Sequence, residues 1–304
     1  MTTASAPVVS VVTVCRNAAA TLGTCIASVL AQTWPHIEYI VIDGASTDAT
    51  PAILARHRDG IATLVSESDR GIYDAMNKGI ARATGEFIIF LNADDHFVGP
   101  EAVARAMTEI ARAPRADVYY GSIEVRDGAA RIRHDPPPAE GAAEEMVLGC
   151  LPHQATFARR AVFARTGPFD LRWRRHADYD WWLKVLADPT LRLQRIDALI
   201  ASFALGGASS ELAKGQPEVF AIQNAAPLYR TPDWDRRRVE MFQRAWLEAR
   251  IALARVNEAA AAPGAQARRG MPDLVAAARR WAVRALPGPA VRAIRGVRRR
   301  LLPR

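Results

Sequence analysis

One short stretch of the sequence places carboxylates directly after a fully apolar run. The apolar run is Phe87 to Leu91, and Asn92, Asp94 and Asp95 follow it. A short apolar run after Gly85 is typical of a strand buried on both faces of a parallel sheet. Adjacent carboxylates repel each other unless a cation joins them, and hard oxygen ligands select Mg²⁺ or Mn²⁺. We therefore predict a divalent metal site here; the alternative is an Asx-turn that closes the strand.

The elements that must position these carboxylates alternate between strand and helix. Predicted strands cover residues 8–15, 38–42, 63–66, 87–91 and 117–125, and predicted helices cover residues 17–32, 49–58, 71–83 and 100–113. Runs of β-branched and apolar residues indicate the strands, and apolar residues three and four apart indicate the helices. This alternation predicts an α/β fold with a Rossmann-like, doubly wound and mostly parallel central sheet.

Polar residues gather after each of the first four predicted strands, which places them at one edge of the sheet. In chain order they are Arg16 and Asn17, then Asp43, Ser46 and Asp48, then Glu67, Asp69 and Arg70, then Asn92, Asp94 and Asp95. The sequence has no GxGxxG motif after the first strand and no GxxxxGK[ST] motif, so a dinucleotide dehydrogenase and a P-loop NTPase both lose their main support. We predict a nucleotide site at this edge, because ligands of open α/β sheets bind at the carboxyl ends of the strands.

Three motifs, in this order, resemble those of family 2 glycosyltransferases of the GT-A fold. They are Val-Ile-Asp-Gly-Ala-Ser-Thr-Asp-Ala-Thr at 41–50, Asp-Arg-Gly-Ile-Tyr-Asp-Ala-Met-Asn-Lys-Gly at 69–79 and Thr-Gly-Glu-Phe-Ile-Ile-Phe-Leu-Asn-Ala-Asp-Asp at 84–95. The resemblance implies an inverting transfer of a hexosyl or N-acetylhexosaminyl group from a nucleoside diphosphate donor, often UDP, with a divalent metal. The sequence is similar to the subgroup that builds bacterial polysaccharides of the colanic acid type.

The resemblance also implies a donor site. Its residues would be Arg16, Asp43, Ser46, Asp69, Lys78, Asn92 and Asp94. Asp43 would accept a hydrogen bond from the base, Asp69 would lie over the nucleoside, and Asp94 would ligate the metal on the diphosphate. Lys78 would assist electrostatically; its alternative is an i,i+4 ion pair with Asp74 on the helix surface.

This chain departs from the commoner family pattern at several positions. Asn92 stands where the family usually has the first Asp of its metal motif, so Asp94 would provide most of the attraction for the metal. Gly44 replaces a frequent second Asp, and Val14 and Arg16 replace the familiar Pro and Tyr after the first strand.

A carboxylate in the second half of the chain is the predicted catalytic residue. Asp178 lies at the start of an amphipathic helix, where the family has the Asp of a Glu-Asp pair; Ala177 replaces the Glu. A sugar hydroxyl is a poor nucleophile at neutral pH and needs a carboxylate that takes its proton. We predict Asp178 as this general base; the alternative is N-capping of the helix by Asp178.

Acceptor contacts are predicted on either side of this helix start. Leu-Pro-His-Gln-Ala-Thr-Phe at 151–157 resembles the family's HQ-type element, so His153 and Gln154 would help to shape the acceptor pocket. Trp181 would offer a stacking surface for a sugar. The alternatives are a capping or surface role for His153, and core packing for Trp181 and Trp182.

The positive charge of the chain lies in its last part. The net charge is +8, and the residues after Glu258 hold eleven Arg and one acid, Asp273, for a charge of +10, which leaves −2 for residues 1–258. Arginine and apolar residues alternate around Trp281 in a way that favours binding to an anionic membrane surface. The alternatives are an ordinary solvated helix, a disordered end, or a nucleic-acid-binding tail; the near-neutral body argues against nucleic acid.

These observations predict three segments and one activity. Residues 1–210 would form the glycosyltransferase domain, 211–260 a helical extension, and 261–304 a basic amphipathic tail. Three cysteines without metal-type spacing, and no secretion signal or membrane-spanning stretch, favour a cytoplasmic protein, peripheral on the inner membrane face. The predicted activity is sugar transfer to a hydroxyl of a glycan or polyprenyl-linked acceptor, and the alternative enzyme is a nucleotidyltransferase on a similar sheet.

Overall fold

The structure is a computed structural model, and it describes residues 6–206 and 212–261. Its strands are β1 (Val9–Cys15), β2 (Ile37–Asp43), β3 (Thr63–Ser66), β4 (Phe87–Phe90), β5 (His96–Phe97), β6 (Val118–Asp127), β7 (Ala130–His134), β8 (Thr156–Arg159) and β9 (Leu193–Ala204). Its helices are α1 (Leu22–Leu30), α2 (Thr50–Arg56), α3 (Ile72–Arg82), α4 (Ala102–Arg112), α5 (Ala142–Leu148), α6 (Arg160–Thr166), α7 (Ala177–Ala187), α8 (Leu212–Ala225) and α9 (Pro232–Ala261).

The first four strands form the parallel part of the sheet, in the order β3-β2-β1-β4. Every residue of β1 and β4 is buried, because helices cover both faces of a parallel sheet and apolar side chains leave water on both sides. The carboxyl ends of these strands meet at one edge. The predicted edge is therefore confirmed, and the loops that follow the four strands lie side by side.

The rest of the sheet is mixed. It continues from β4 in the order β8-β6-β9-β5. β7 forms a hairpin with residues 123–127 of β6. β8 runs antiparallel to both β4 and β6, whereas β6 and β9 are parallel. Residues 117–125 were expected to continue the parallel sheet; they do form a strand, but β6 reaches β4 only through the antiparallel β8.

Helices cover the two faces of the sheet and form two apolar cores. One core includes α1 and α4, and the other includes α3, α7 and α8. A Cβ at Gly79 would lie 2.4 Å from Val12 Cγ1, so the glycine allows α3 to lie directly against β1. This close approach sets the position of Tyr73 in the first turn of α3.

The predicted helical extension is present as α8 and α9. Val219, Ile222 and Tyr229 are buried in the same core as α7, so this segment is packed against the sheet domain. α9 leaves Trp246 63% exposed. No helix in the described ranges combines the length and the apolar character that crossing a bilayer requires. The predicted basic tail, apart from residue 261, lies outside the described residues.

Candidate active site

A cavity of about 350 Å³ lies between the carboxyl edge of the sheet and the start of α7. Its lining includes Asn92 and Asp94 from the loop after β4, His153 and Gln154 from the loop before β8, and Asp178 from α7. The structure thus brings the predicted metal motif, the predicted acceptor element and the predicted base into one cavity, although they are far apart in the chain.

Asp178 is held by hydrogen bonds on both of its oxygens. His153 Nδ1 lies 3.0 Å from Oδ2, and the Tyr73 hydroxyl donates to Oδ1 at 2.5 Å. Asp178 is the second residue of α7, and the residue at the N-cap position is His176. N-capping is therefore not the role of Asp178, and its carboxylate is directed into the cavity.

The start of α7 is fixed from α8 by a single carboxylate. Glu218 accepts hydrogen bonds from the backbone N–H groups of Arg174, Arg175 and His176 at 3.0, 2.8 and 2.7 Å. Backbone N–H groups at a helix start lack partners within the helix. Glu218 satisfies the N–H group of the N-cap residue and those of the two residues before it, and thereby fixes the orientation in which Asp178 enters the cavity.

Burial and charge act in opposite directions on the Asp178–His153 pair. Burial alone would raise the pKa of Asp178, but the hydrogen bond and the charge of His153, with a smaller contribution from Tyr73, lower that pKa to about 2. Burial would lower the pKa of His153, but its hydrogen bond and charge interaction with Asp178 outweigh burial and raise that pKa. Opposite charges in contact favour each other's charged form, so Asp178 is ionised throughout the neutral range.

We expect the variant His153→Gln to make activity sensitive to acid. Glutamine can still donate a hydrogen bond to Asp178 but has no charge, so burial would dominate and the pKa of Asp178 would rise. A carboxylate with a raised pKa is protonated, and fails as a base, at a higher pH. Relative to the wild type, kcat/KM should therefore fall further at pH 5 than at pH 8, by about tenfold if the pKa of Asp178 rises to about 6.

The measurement is the initial rate of nucleoside diphosphate release between pH 5 and pH 8. The exposed His36 lies outside the cavity, so His36→Gln is the matched control and should keep the wild-type profile. Parallel profiles for His153→Gln and the wild type would show that His153 does not set the charge state of Asp178.

The loop after β4 presents oxygen ligands to the cavity. The Asp94 carboxylate lines the cavity and accepts no hydrogen bond from the described residues, and Asn92 Oδ1 is buried without a partner among them. Asn92 Nδ2 lies 3.4 Å from His153 Nε2. An unpartnered amide oxygen beside a free carboxylate fits a hard divalent cation. Within the described ranges, no three His, Cys, Asp or Glu side chains are grouped so that they could hold a metal ion.

Asp95 has a structural role. It is 1% exposed and accepts a hydrogen bond from the Ala204 N–H at 3.2 Å, which ties the loop after β4 to the end of β9. Burial, and then the charge of Asp94, raises its pKa to about 7. Gln154, predicted to contact the acceptor, is buried near Asp95, and its side chain acts to lower the pKa of that carboxyl.

Asp43 lies at the predicted nucleotide edge, below its surface. It has no exposed area, and its two oxygens accept hydrogen bonds from the Ser46 hydroxyl at 2.5 Å and the Ser66 hydroxyl at 2.6 Å. Ser46 also accepts a hydrogen bond from the Asn17 N–H at 2.8 Å. These bonds join the loops after β1, β2 and β3. The Ser46 N–H lies 3.3 and 3.2 Å from the same two Asp43 oxygens, so each oxygen already faces two donors. A contact between Asp43 and a base would require one of these donors to turn away, and the donor contacts of Asp43 and Ser46 stay predictions.

Asp69 lies at the surface of this edge, directly above Gly44. A Cβ on Gly44 would be 2.2 Å from Asp69 Oδ2 and 3.3 Å from Arg16 Cδ. Arg16 is exposed and forms no ion pair with the described carboxylates. The replacement of a frequent family Asp by Gly44 therefore makes room for Asp69, and the edge presents one carboxylate and one cation to a ligand.

We expect Gly44→Ala to weaken donor binding. The added methyl group would displace the Asp69 side chain, and the donor KM should rise about fivefold, the equivalent of one hydrogen bond of about 1 kcal/mol. kcat should change little, because the base and the metal motif lie elsewhere. Steady-state kinetics with varied donor check this. Gly23→Ala is the control, since a Cβ there meets nothing within 4 Å; an unchanged donor KM in Gly44→Ala would remove Asp69 from the donor site.

Two other predicted site residues are engaged away from the cavity. Lys78 Nζ lies 3.0 Å from Glu67 and 3.9 Å from Asp74, so the alternative ion pair is formed. Trp181 is 3% exposed, and its ring stacks on Phe163 with centroids 5.1 Å apart. This burial contradicts an exposed stacking surface on Trp181, and its core packing was the stated alternative.

The sequence matches a known family. The family described as "Glycosyl transferase family 2" matches residues 10–182, which is more than half of the 304 residues and includes Asp178. A curated relative, the "PGL/p-HBAD biosynthesis glycosyltransferase" of Mycobacterium tuberculosis, is 32% identical over 216 residues, covering 68% of this chain and 81% of the relative.

Solved structures show the same fold at low sequence identity. The crystal structure of S. aureus TarS 1-349 in complex with UDP-GlcNAc has a TM-score of 0.59 and 16% identity, covering 92% of this chain and 82% of that one. The mannosyltransferase PcManGT from Pyrobaculum calidifontis, in complex with GDP-Man and Mn²⁺, has a TM-score of 0.58 and 19% identity, covering 92% of this chain and 86% of that one. Both share the GT-A arrangement of the sheet.

Proposed function

The chain belongs to glycosyl transferase family 2 and is a glycosyltransferase; from this premise we propose that it moves a sugar from a nucleoside diphosphate donor to a hydroxyl of a glycan or lipid-linked acceptor, with inversion at the anomeric carbon. The observation that supports this proposal is the shared cavity of Asp94 and Asp178. Asp94 can hold a cation at the leaving diphosphate, while Asp178 can take the proton of the attacking hydroxyl.

A nucleotide-sugar donor is supported by the sheet edge and by the neighbours. TarS is solved with UDP-GlcNAc and PcManGT with GDP-Man. In this chain the exposed Arg16 and the half-buried Asp69 lie over Gly44 at the carboxyl edge, where α/β sheets bind nucleotides. We propose that Asp69 contacts the nucleoside and that Arg16 attracts the phosphates. We propose UDP as the nucleotide of the donor.

The proposed chemistry at Asp178 is general base catalysis. The acceptor hydroxyl attacks the anomeric carbon from the face opposite the diphosphate, and Asp178 takes its proton as the new bond forms. Each carboxylate oxygen has two lone pairs, so the bonds to His153 and Tyr73 leave a site free on each oxygen for the hydroxyl. The two fixed hydrogen bonds orient the base before the acceptor arrives.

The proposed metal ligands are Asp94 and, through its amide oxygen, Asn92, together with the phosphates of the donor. A divalent cation held there would supply charge stabilisation for the leaving diphosphate. Since Asn92 is neutral, the charge of this motif resides in Asp94, and we propose Mg²⁺ or Mn²⁺ as the ion. His153 lies between the two groups: its Nε2 is 3.4 Å from Asn92 Nδ2 and its Nδ1 is 3.0 Å from Asp178 Oδ2. We propose that it holds the base at a constant distance from the metal motif.

The deciding experiment is a panel of UDP- and GDP-sugars with and without Mn²⁺. We expect release of nucleoside diphosphate with at least one donor. Release of pyrophosphate from a nucleoside triphosphate and a sugar phosphate would instead support a nucleotidyltransferase. Salt-sensitive binding of RNA or DNA by the full chain, without turnover of any donor, would support a nucleic-acid-binding protein.

A further inference from the structure

We propose that the acceptor bears an apolar group, an alkyl chain or an aromatic ring, close to the hydroxyl that receives the sugar. This inference rests on the proposed function, because it names the substrate class of the same cavity. The cavity extends from the catalytic carboxylates along two walls made mainly of apolar side chains.

The first wall is a row of side chains across three strands. Val125 of β6 is paired with Ile132 of β7 on one side and with Phe203 of β9 on the other, and all three line the cavity. Ile123 lies two residues before Val125, so it projects from the same face of the sheet and extends the row inward. The strand register therefore produces a continuous apolar surface.

The second wall is helical. Val147 and Leu148 of α5, Leu151 of the following loop and Val219 of α8 line the cavity. Val147 and Leu151 are each 1% exposed, so they are fixed by the core behind them. The apolar space is preformed, which lowers the entropy cost of binding an apolar group.

The exposure of the first wall points to a ligand. Val125, Ile132 and Phe203 are only partly buried, although they lie on the apolar face of strands that alternate apolar and polar side chains, and the core normally covers such a face. An apolar patch beside catalytic groups marks a binding surface. A wholly polar acceptor would leave this row in contact with water, whereas an apolar group would cover it.

The test uses matched pairs of compounds that differ only in their apolar part. We expect the full chain to bind hexyl β-D-glucoside at least tenfold more tightly than methyl β-D-glucoside, or 4-hexylphenol at least tenfold more tightly than phenol, by isothermal titration calorimetry. Each buried methylene group adds to the affinity. Equal affinity within both pairs would overturn the proposal, and this comparison needs no variant.

Variants locate the binding surface. The double variant Val125→Thr/Ile132→Thr keeps β-branched side chains but replaces a methyl group of Val125 and the ethyl group of Ile132 with hydroxyl groups. It should reduce the hexyl preference about tenfold. Val98→Thr is the control, since Val98 is 38% exposed and lies outside the cavity. Full retention of the preference in a double variant with a wild-type unfolding midpoint would place the apolar group elsewhere and overturn the proposal.

The two proposals fail separately. Calorimetric binding of these compounds is measured without a donor, so it tests the apolar cavity alone. Nucleoside diphosphate release in the donor panel tests the proposed transferase. Turnover that is equally fast with methyl and hexyl acceptors, and equally fast with phenol and 4-hexylphenol, would keep the transferase and overturn the apolar acceptor.

Discussion

Replacing Asp178 with asparagine is expected to lower kcat about 10³-fold and to leave the donor KM within about twofold. Asparagine has the same shape, and its Oδ1 can still accept the hydrogen bond that the Tyr73 hydroxyl donates at 2.5 Å. Its amide can donate to a neutral His153. The geometry of the site is therefore kept, but the side chain cannot take a proton from the acceptor. Steady-state release of nucleoside diphosphate, with donor and acceptor varied in turn, measures this effect.

The matched control for this prediction is Asp180→Asn on the same helix. Asp180 forms an i,i+4 ion pair with Lys184 at 2.7 Å and does not line the cavity. This half-buried pair lies outside the cavity, so the control should keep kcat within about twofold. A kcat of wild-type size in Asp178→Asn would refute the general-base role. A thermal unfolding midpoint close to that of the wild type would confirm that the variant is folded.

The first half of the fold could be predicted because its signals are local. The predicted strand at residues 63–66 is β3 itself, and residues 8–15 differ from β1 by one residue. Fully buried parallel strands consist of continuous apolar runs, and such runs are visible without any partner. The polar loops that end these strands then follow from the geometry of a parallel sheet.

The second half depends on pairing between distant residues. β8 lies between β4 and β6 because Phe87 pairs with Arg159 and Tyr119 pairs with Phe157. Nothing in the four residues of β8 specifies an antiparallel partner, since register is set by tertiary context. The local sequence therefore could not show that the parallel sheet ends at β4.

The sequence predicted the site residues to which the family motifs assign a role, and it did not predict the others. Asp94, His153 and Asp178 were predicted by resemblance, and they line one cavity. Tyr73 and Glu218 were missed, because a hydrogen bond to a residue about a hundred positions away, or to three backbone amides in another segment, leaves no local pattern. Trp181 shows the opposite case: an aromatic residue near a site can equally belong to the core.

The second large effect is expected from Asp94→Asn, which should lower kcat/KM about 10²-fold and raise the Mn²⁺ concentration needed for half-maximal activity. Because Asn92 is already neutral, this change removes the charge of the motif. Asp95 cannot replace it, since its side chain is buried against the end of β9. Asparagine keeps the shape of the side chain, so the loss would report charge and not packing.

The readouts are nucleoside diphosphate release at varied Mn²⁺ and, independently of turnover, binding of Mn²⁺ by the chain with UDP, followed by electron paramagnetic resonance. Asp127→Asn is the control, because Asp127 lines the same cavity from the exposed end of β6. Its replacement tests whether any negative charge in the cavity is sufficient for Mn²⁺ binding. We expect Asp127→Asn to keep the Mn²⁺ dependence of the wild type. If both variants shifted that dependence equally, the ion would respond to the overall potential of the cavity, and Asp94 would lose its assignment as a ligand. A shift confined to Asp94→Asn, seen also in Mn²⁺ binding without turnover, would connect the loop after β4 directly to the ion.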